Sequence, residues 1–170
     1  MVELKKNIAL ICIAAGASLL LFSSARVKIF AQSQSEEEAG FKEVFPSAAS
    51  FEAVKSGNEA IYYKALDKDK KLVGAVFKAA GKGYSGTIET LAGLTLDGKI
   101  TTIKIISQNE TPGVGSRISE LSFRERFSGQ PAQDLSGVQA ITGASISSGA
   151  VIGSVKKKAE EIMRLIQGDK

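Results

Sequence analysis

Thr87-Ile88-Glu89-Thr90-Leu91-Ala92-Gly93-Leu94-Thr95-Leu96-Asp97-Gly98-Lys99-Ile100-Thr101-Thr102-Ile103-Lys104-Ile105-Ile106-Ser107 reads as two strands and the turn between them. Ile, Leu and Thr fill both arms, and β-branched side chains favour extended backbone. Asp97-Gly98 interrupts them and predicts a two-residue type I′ turn, which needs positive φ at both central residues. Upstream, Ala60–Ala65 reads as a strand closed by the charged turn Asp67-Lys68-Asp69-Lys70, with Leu72–Phe77 as its hairpin partner. Gly81–Gly86 is a glycine-rich loop leading into Thr87. Before these strands, Phe41, Val44 and Phe45 form an apolar cluster ended by Pro46, and Ser47–Lys55 predicts a short helix ending at Gly57-Asn58.

Downstream the pattern changes period. Gln108–Ser116 is a loop containing Glu110-Thr111-Pro112-Gly113-Val114-Gly115. Ser119–Phe127 reads as helical and Gln130–Gly137 as a second loop. Gly149–Ile166 is amphipathic, with Ala150, Val151, Val155, Ala159, Ile162, Met163 and Ile166 on or near one face and Lys156, Lys157, Lys158, Glu160 and Glu161 on the other. Strands followed by helices predict an α+β domain with an antiparallel sheet and flanking helices.

The N-terminus differs in kind. Residues Ile8–Phe22 are almost all apolar, with Ser23, Ser24 and Ala25 extending the run. A span needs about 20 such residues and about 17 can suffice. A cleaved signal peptide is the rival reading, since Lys5 and Lys6 precede the run. Arg26-Val27-Lys28-Ile29-Phe30 is too charged and bulky for a cleavage region, which favours an uncleaved anchor. Lys5 and Lys6 on one side balance Arg26 and Lys28 on the other, so charge leaves the orientation open. The expected division is an anchor over residues 1–30, a Gln/Ser/Glu-rich linker over 31–40 and a domain over 41–170.

Composition narrows the chemistry. The formal charge is +4, and the first 30 residues hold Lys5, Lys6, Arg26 and Lys28 against Glu3. No basic stripe interleaved with aromatics follows, so no nucleic-acid partner is expected. The chain has no histidine, and its one cysteine, Cys12, sits in the apolar run. Ser-His-Asp triads, histidine general bases and thiolate metal sites are excluded, and no metal is expected. Chemistry carried by a bound cofactor remains.

Thr142-Gly143-Ala144-Ser145-Ile146-Ser147-Ser148 opens the last helical pattern. A helix N-terminus offers unpaired N–H groups and a positive dipole end to an anion. Gly143 and Ala144 leave room for a bulky ligand, and Ser147 and Ser148 offer further donors. The same residues read equally as ordinary N-caps. In Glu110–Gly115, Pro112 fixes one φ while Gly113 and Gly115 permit close backbone approach.

Taken in order, Gly83-Tyr84-Ser85-Gly86, the Asp97-Gly98 turn, Glu110–Gly115 and Thr142–Ser145 resemble the FMN-binding domain family, from about Phe41 to the C-terminus. The pattern is most similar to the G subunit of the Rnf ion-translocating electron-transport complex. The C subunit of the sodium-translocating NADH:quinone reductase is the near relative. The resemblance implies an electron carrier, not an independent catalyst, with FMN joined through its phosphate to Ser145 by a flavin transferase. It implies further cofactor contacts from Thr142, Gly143, Ala144, Ser147, Ser148, Glu110, Thr111 and Gly113. It implies other membrane subunits of a redox-driven ion pump as partners, and a single-pass cell-membrane protein with its domain on the extracytoplasmic face. The alternatives are a subunit of the NADH:quinone reductase, a non-flavinylated interaction module of the same fold, and a free-standing extracytoplasmic reductase. Three positions depart from the family pattern: Gln139 stands where Asp is usual, Gln108 where His is frequent, and Ser145 where Thr is commoner.

Overall fold

The computed structural model describes residues 36–57 and 59–168. The chain divides into two compact units, Met1–Glu38 and Ala39–Lys170. The first lies almost wholly outside the described residues, and so does the anchor expected over Ile8–Ala25. Among the described residues no helix is long and apolar enough to cross a membrane.

Helical residues 39–44, here α1, open the second unit. Five strands follow: β1 (Ser50–Ser56), β2 (Glu59–Leu66), β3 (Leu72–Lys82), β4 (Thr87–Thr95) and β5 (Ile100–Ser107). They form one antiparallel meander in the order β1-β2-β3-β4-β5. The chain then makes the 3-10 turn Gly115–Ser119, the short helix α2 (Leu121–Arg124) and a second 3-10 turn, Glu125–Phe127. It ends in the long helix α3, Ser145–Gly168. The expected α+β arrangement of antiparallel sheet and helices is present.

Both faces of the sheet are covered. On one face Tyr62, Phe77, Ile88 and Ile103 pack against Val151, Val155, Ala159 and Ile162 of α3. On the other, Ala65, Val76 and Leu91 meet Phe41, Val44 and Phe45 of α1 and its exit. That explains the β4 sequence. A strand covered on both faces reads as a nearly continuous apolar run, and Leu91, Ala92, Gly93 and Leu94 are all buried.

Two expectations are corrected. Residues 47–55 do not form a helix; Ser50–Ser56 is the edge strand β1, paired with β2. Phe51 and Val54 are spaced three apart, which suits one face of a helix. In the strand that spacing sends them to opposite faces, Phe51 toward the α1 cluster and Val54 toward the α3 cluster. Pairing with β2 overrides the local pattern. The β4–β5 turn also differs from a two-residue I′ turn. Gly98 has φ +82 and Asp97 has no positive φ. Gly98 N–H donates to the Thr95 carbonyl (3.0 Å) and Thr95 N–H to the Lys99 carbonyl (2.9 Å). This is a three-residue connection, a turn followed by a left-handed glycine, the next commonest hairpin solution.

Helix α3 begins at Ser145, inside the Thr142–Ser148 stretch expected to open it and two residues before the expected start near Ser147. Of the expected apolar face, Val151, Val155, Ala159, Ile162, Met163 and Ile166 are buried and Ala150 is half-buried. This start places Ser145–Ser148 in the first helical turn.

Candidate functional site

Three segments meet at the N-terminal end of α3. The first is the tight loop between β3 and β4, closed by Gly83 N–H to the Gly86 carbonyl (2.8 Å). The second is the Glu110–Gly115 loop. Val114 and Ser116 N–H groups both donate to the Thr111 carbonyl at 3.2 Å, and Gly113 N–H donates to Ser116 Oγ at 3.0 Å. The third is the Thr142–Ser148 segment.

Glu110 fastens them together. Its carboxylate is buried, with 4% of the residue exposed. Oε1 accepts the Ser85 N–H (2.9 Å) and Oε2 accepts the Tyr84 N–H (3.1 Å). The Ser147 hydroxyl donates to Oε2 in a short hydrogen bond. A buried carboxylate is tolerable only with such partners. Burial pushes the Glu110 carboxyl up, but the Ser147 hydroxyl and the N–H groups of Ser85, Tyr84 and Gly86 outweigh it and hold the carboxyl below its ordinary value. Gln108 supports the same residue, its Oε1 accepting the Glu110 N–H at 2.7 Å. The glycines flanking the carboxylate leave it no spare space. A Cβ at Gly83 would stand 2.6 Å from Glu110 Oε1, and one at Gly115 2.8 Å from Ser147 Oγ.

A cleft of about 350 Å³ opens beside this knot, a volume in the range of small-molecule sites. Six expected site residues line it: Glu110, Thr111, Gly143, Ala144, Ser145 and Ser147. Thr142, Gly113 and Ser148 lie outside its lining. Ser148 is buried, and its Oγ accepts the Ile141 N–H at 3.0 Å, so this hydroxyl braces the approach to the helix. Ser147 is likewise engaged with Glu110. Ser145 alone of the three serines is exposed.

The N-cap reading of these residues does not hold. The first intrahelical bond runs from Ser148 N–H to the Ala144 carbonyl (2.9 Å), which makes Ala144 the cap residue. Alanine has no side chain with which to cap. The first-turn N–H groups of α3 therefore keep their capacity for an anion, at the positive end of a long helix. That donor set, the adjacent cleft and the exposed Ser145 hydroxyl fit the phosphate end of FMN. The ionised Glu110 faces the same cleft, with its oxygens turned into N–H and O–H donors.

Four lining residues were not among the expected site residues: the buried Gly115 and three with large, exposed side chains. Tyr84, Val114 and Ile146 border the cleft and are 74%, 46% and 58% exposed. All three stand inside the glycine- and serine-rich motifs. The available signal was a large apolar side chain set among Gly, Ser and Thr, where a loop has no core to bury it in.

Residues 83–160 match the FMN-binding domain family. The G subunit of the proton-translocating ferredoxin:NAD(+) oxidoreductase complex of Clostridium ljungdahlii is 39% identical over 61% of this chain and 61% of that protein, so the match spans less than two thirds of its length. The G subunit of the ion-translocating oxidoreductase complex of Methanosarcina acetivorans is 34% identical over 82% of this chain and 81% of that protein. In fold, the crystal structure of Shewanella oneidensis NqrC is similar, with a TM-score of 0.53 at 17% identity, covering 72% of this chain and 74% of that one. Five antiparallel strands, a cleft at an uncapped helix N-terminus and these matches agree: the chain belongs to the FMN-binding domain family, among the G subunits of Rnf-type ion-translocating oxidoreductase complexes.

Proposed function

We propose that this chain is a membrane-anchored electron carrier, with FMN joined through its phosphate to Ser145, working inside an ion-translocating ferredoxin:NAD oxidoreductase. The observation that carries the proposal is the position of Ser145. It is an exposed hydroxyl in the first turn of α3, beside a cleft, behind a cap residue that cannot cap. FMN supplies one- and two-electron transfer when bound. The chain's own residues do the holding. The first-turn N–H groups of α3 bind the phosphate, and Glu110 keeps the two loops and the helix in register. Tyr84, Val114 and Ile146 offer apolar surface at the rim for the ring.

Attachment needs an activated phosphate, because condensing free FMN with a serine in water is uphill. The donor is a flavin dinucleotide, presented by a flavin transferase. The Ser145 Oγ–P bond forms and the phosphoanhydride bond breaks. A nucleoside monophosphate leaves, and the hydroxyl proton is released to a base. The anchor over residues 1–30, the extracytoplasmic domain and the partner membrane subunits belong to the same reading and rest on the apolar N-terminal run and on the relatives. Ser145→Ala, made beside an active transferase, should lose both in-gel flavin fluorescence and the FMN increment in intact mass. Retention of both would move the attachment, with Thr142 the first suspect.

A further inference from the structure

The segment leading to Ser145 is built on a period of three. Ala132, Leu135, Val138, Ile141 and Ala144 are all buried, and the two residues between each pair are exposed. Backbone turns follow the same rhythm. Asp134 N–H donates to the Pro131 carbonyl (3.0 Å), Val138 to Leu135 (3.0 Å) and Ala144 to Ile141 (2.9 Å). Every third side chain pins the strip to the core, and its other face is held out to solvent.

The step from Val138 to Ile141 is closed differently. Ile141 N–H donates to Ser148 Oγ, and Gln139 and Ala140 between the two pins are exposed. A side chain from another element holds this step. Arg126 Nη1 donates to the Gln139 carbonyl at 2.7 Å, and its Nε donates to the Ser122 carbonyl at 3.1 Å. The guanidinium lies 5.8 Å from the centroid of the Phe123 ring, and Phe123 is itself buried edge-on against Phe127. A planar fork with two carbonyl partners and an aromatic face beneath it has little freedom left.

From this geometry we propose that Arg126 is a positioning residue for the modification of Ser145: it holds the Gln139–Ser145 strip in the shape the flavin transferase engages. The proposal rests on Ser145 being the attachment site. A transferase must grip the exposed face of the strip while the Ser145 hydroxyl meets the donor phosphate. A mobile Gln139–Ala140 junction would have to be ordered at each encounter, and that ordering weakens binding without altering the chemical step. The contact is to a backbone carbonyl, so Arg126 holds this position whatever the Gln139 side chain contributes.

The experiment follows flavin loading of the full chain in detergent, with purified transferase and flavin adenine dinucleotide, as a function of acceptor concentration. Losing one charge-assisted hydrogen bond predicts that Arg126→Ala raises the KM for the acceptor about tenfold, with kcat within about twofold. Arg126→Lys can reach one carbonyl but not both, and should fall between parent and Ala. Hydrogen exchange at the Ala140 and Ile141 amides should quicken in Arg126→Ala while the melting temperature stays near the parent's, since the apolar pins remain. Loading of Arg126→Ala at the parent's KM would overturn the proposal. So would a raised KM with unchanged exchange, which would make Arg126 a direct transferase contact. If the parent chain itself gains no FMN at Ser145, the attachment reading fails and not the role of Arg126 alone.

Discussion

Ser147 and Glu110, 37 residues apart, are joined by a hydrogen bond from the Ser147 hydroxyl to Glu110 Oε2, both side chains buried. The bond ties the first turn of α3 to the loop after β5. Through the other contacts of Glu110 it also reaches the loop between β3 and β4. Ser147→Ala removes one donor from a buried carboxylate that keeps its charge. The expected cost is about 1–3 kcal/mol, and a melting temperature lower by about 3–9 °C. A melting curve that overlays the parent's would show that the bond contributes nothing net.

The same carboxylate sets an acid limit. Its native pKa is lowered, so at mildly acid pH the unfolded chain binds more protons than the folded one and stability rises with pH. The contribution is complete above the ordinary value of 4.5 and disappears as pH falls through the lower native value. Glu43, held down by its hydrogen bond from Lys104 and by Arg124, adds to the same limb with more solvent around it. Glu110→Gln should therefore start less stable at neutral pH and lose less on acidification. Urea unfolding across that range checks it: parallel curves for parent and variant would remove Glu110 from the acid limb.

Much of this fold is legible because its signals are local. β-branched runs mark β4 and β5, and the 3.6-residue apolar stripe marks α3. What escaped was decided by distant partners. Phe51 and Val54 suit a helix until β2 pairs with them. The strip from Ala132 to Ala144 repeats every three residues, which matches neither a strand nor a helix, and several of its pins are only Ala or Val. In the site, the motif residues that line the cleft were visible as Gly, Ser, Thr and Glu. That Ser147 and Ser148 face inward and Ser145 outward follows from where α3 begins, and Ala144 as cap residue carries no positive signal.

One buried hydroxyl offers a test of the core away from the site. Thr90 on β4 is fully buried, paired with Ala79 and Ile105, and its Oγ1 has no hydrogen-bond partner among the described residues. Its neighbours along the same face, Ile88 and Ala92, belong to the α3-side core. Thr90→Val keeps the shape and β-branching and removes the hydroxyl. The expected gain is about 1 kcal/mol, or roughly 3 °C in melting temperature. A loss of stability would mean that the hydroxyl is satisfied by water.

Gly115→Ala and Gly143→Ala separate the two ways a glycine serves this cleft, since both residues line it. At Gly115 an added Cβ would stand 2.8 Å from Glu110 Cβ, 2.8 Å from Ser147 Oγ and 2.9 Å from Glu110 Oε2. Ser147 Oγ and Glu110 Oε2 form the central hydrogen bond, and neither side chain can swing away without taking a donor from the buried carboxylate. At Gly143 nothing stands within 4 Å of an added Cβ, and the obstacle is a φ of +84. Gly143→Ala should cost about 1–2 kcal/mol of left-handed strain and leave the Glu110 knot intact. Gly115→Ala should cost about 1–3 kcal/mol by overpacking. It should also flatten the acid limb, as Glu110→Gln does, because the wedge parts Ser147 from the carboxylate. The pH dependence of unfolding thus distinguishes them: a normal acid limb for Gly143→Ala and a blunted one for Gly115→Ala. If Gly115→Ala keeps the parent's acid limb, the methyl is being absorbed elsewhere, and the Ser147–Glu110 bond is not what glycine protects at that position.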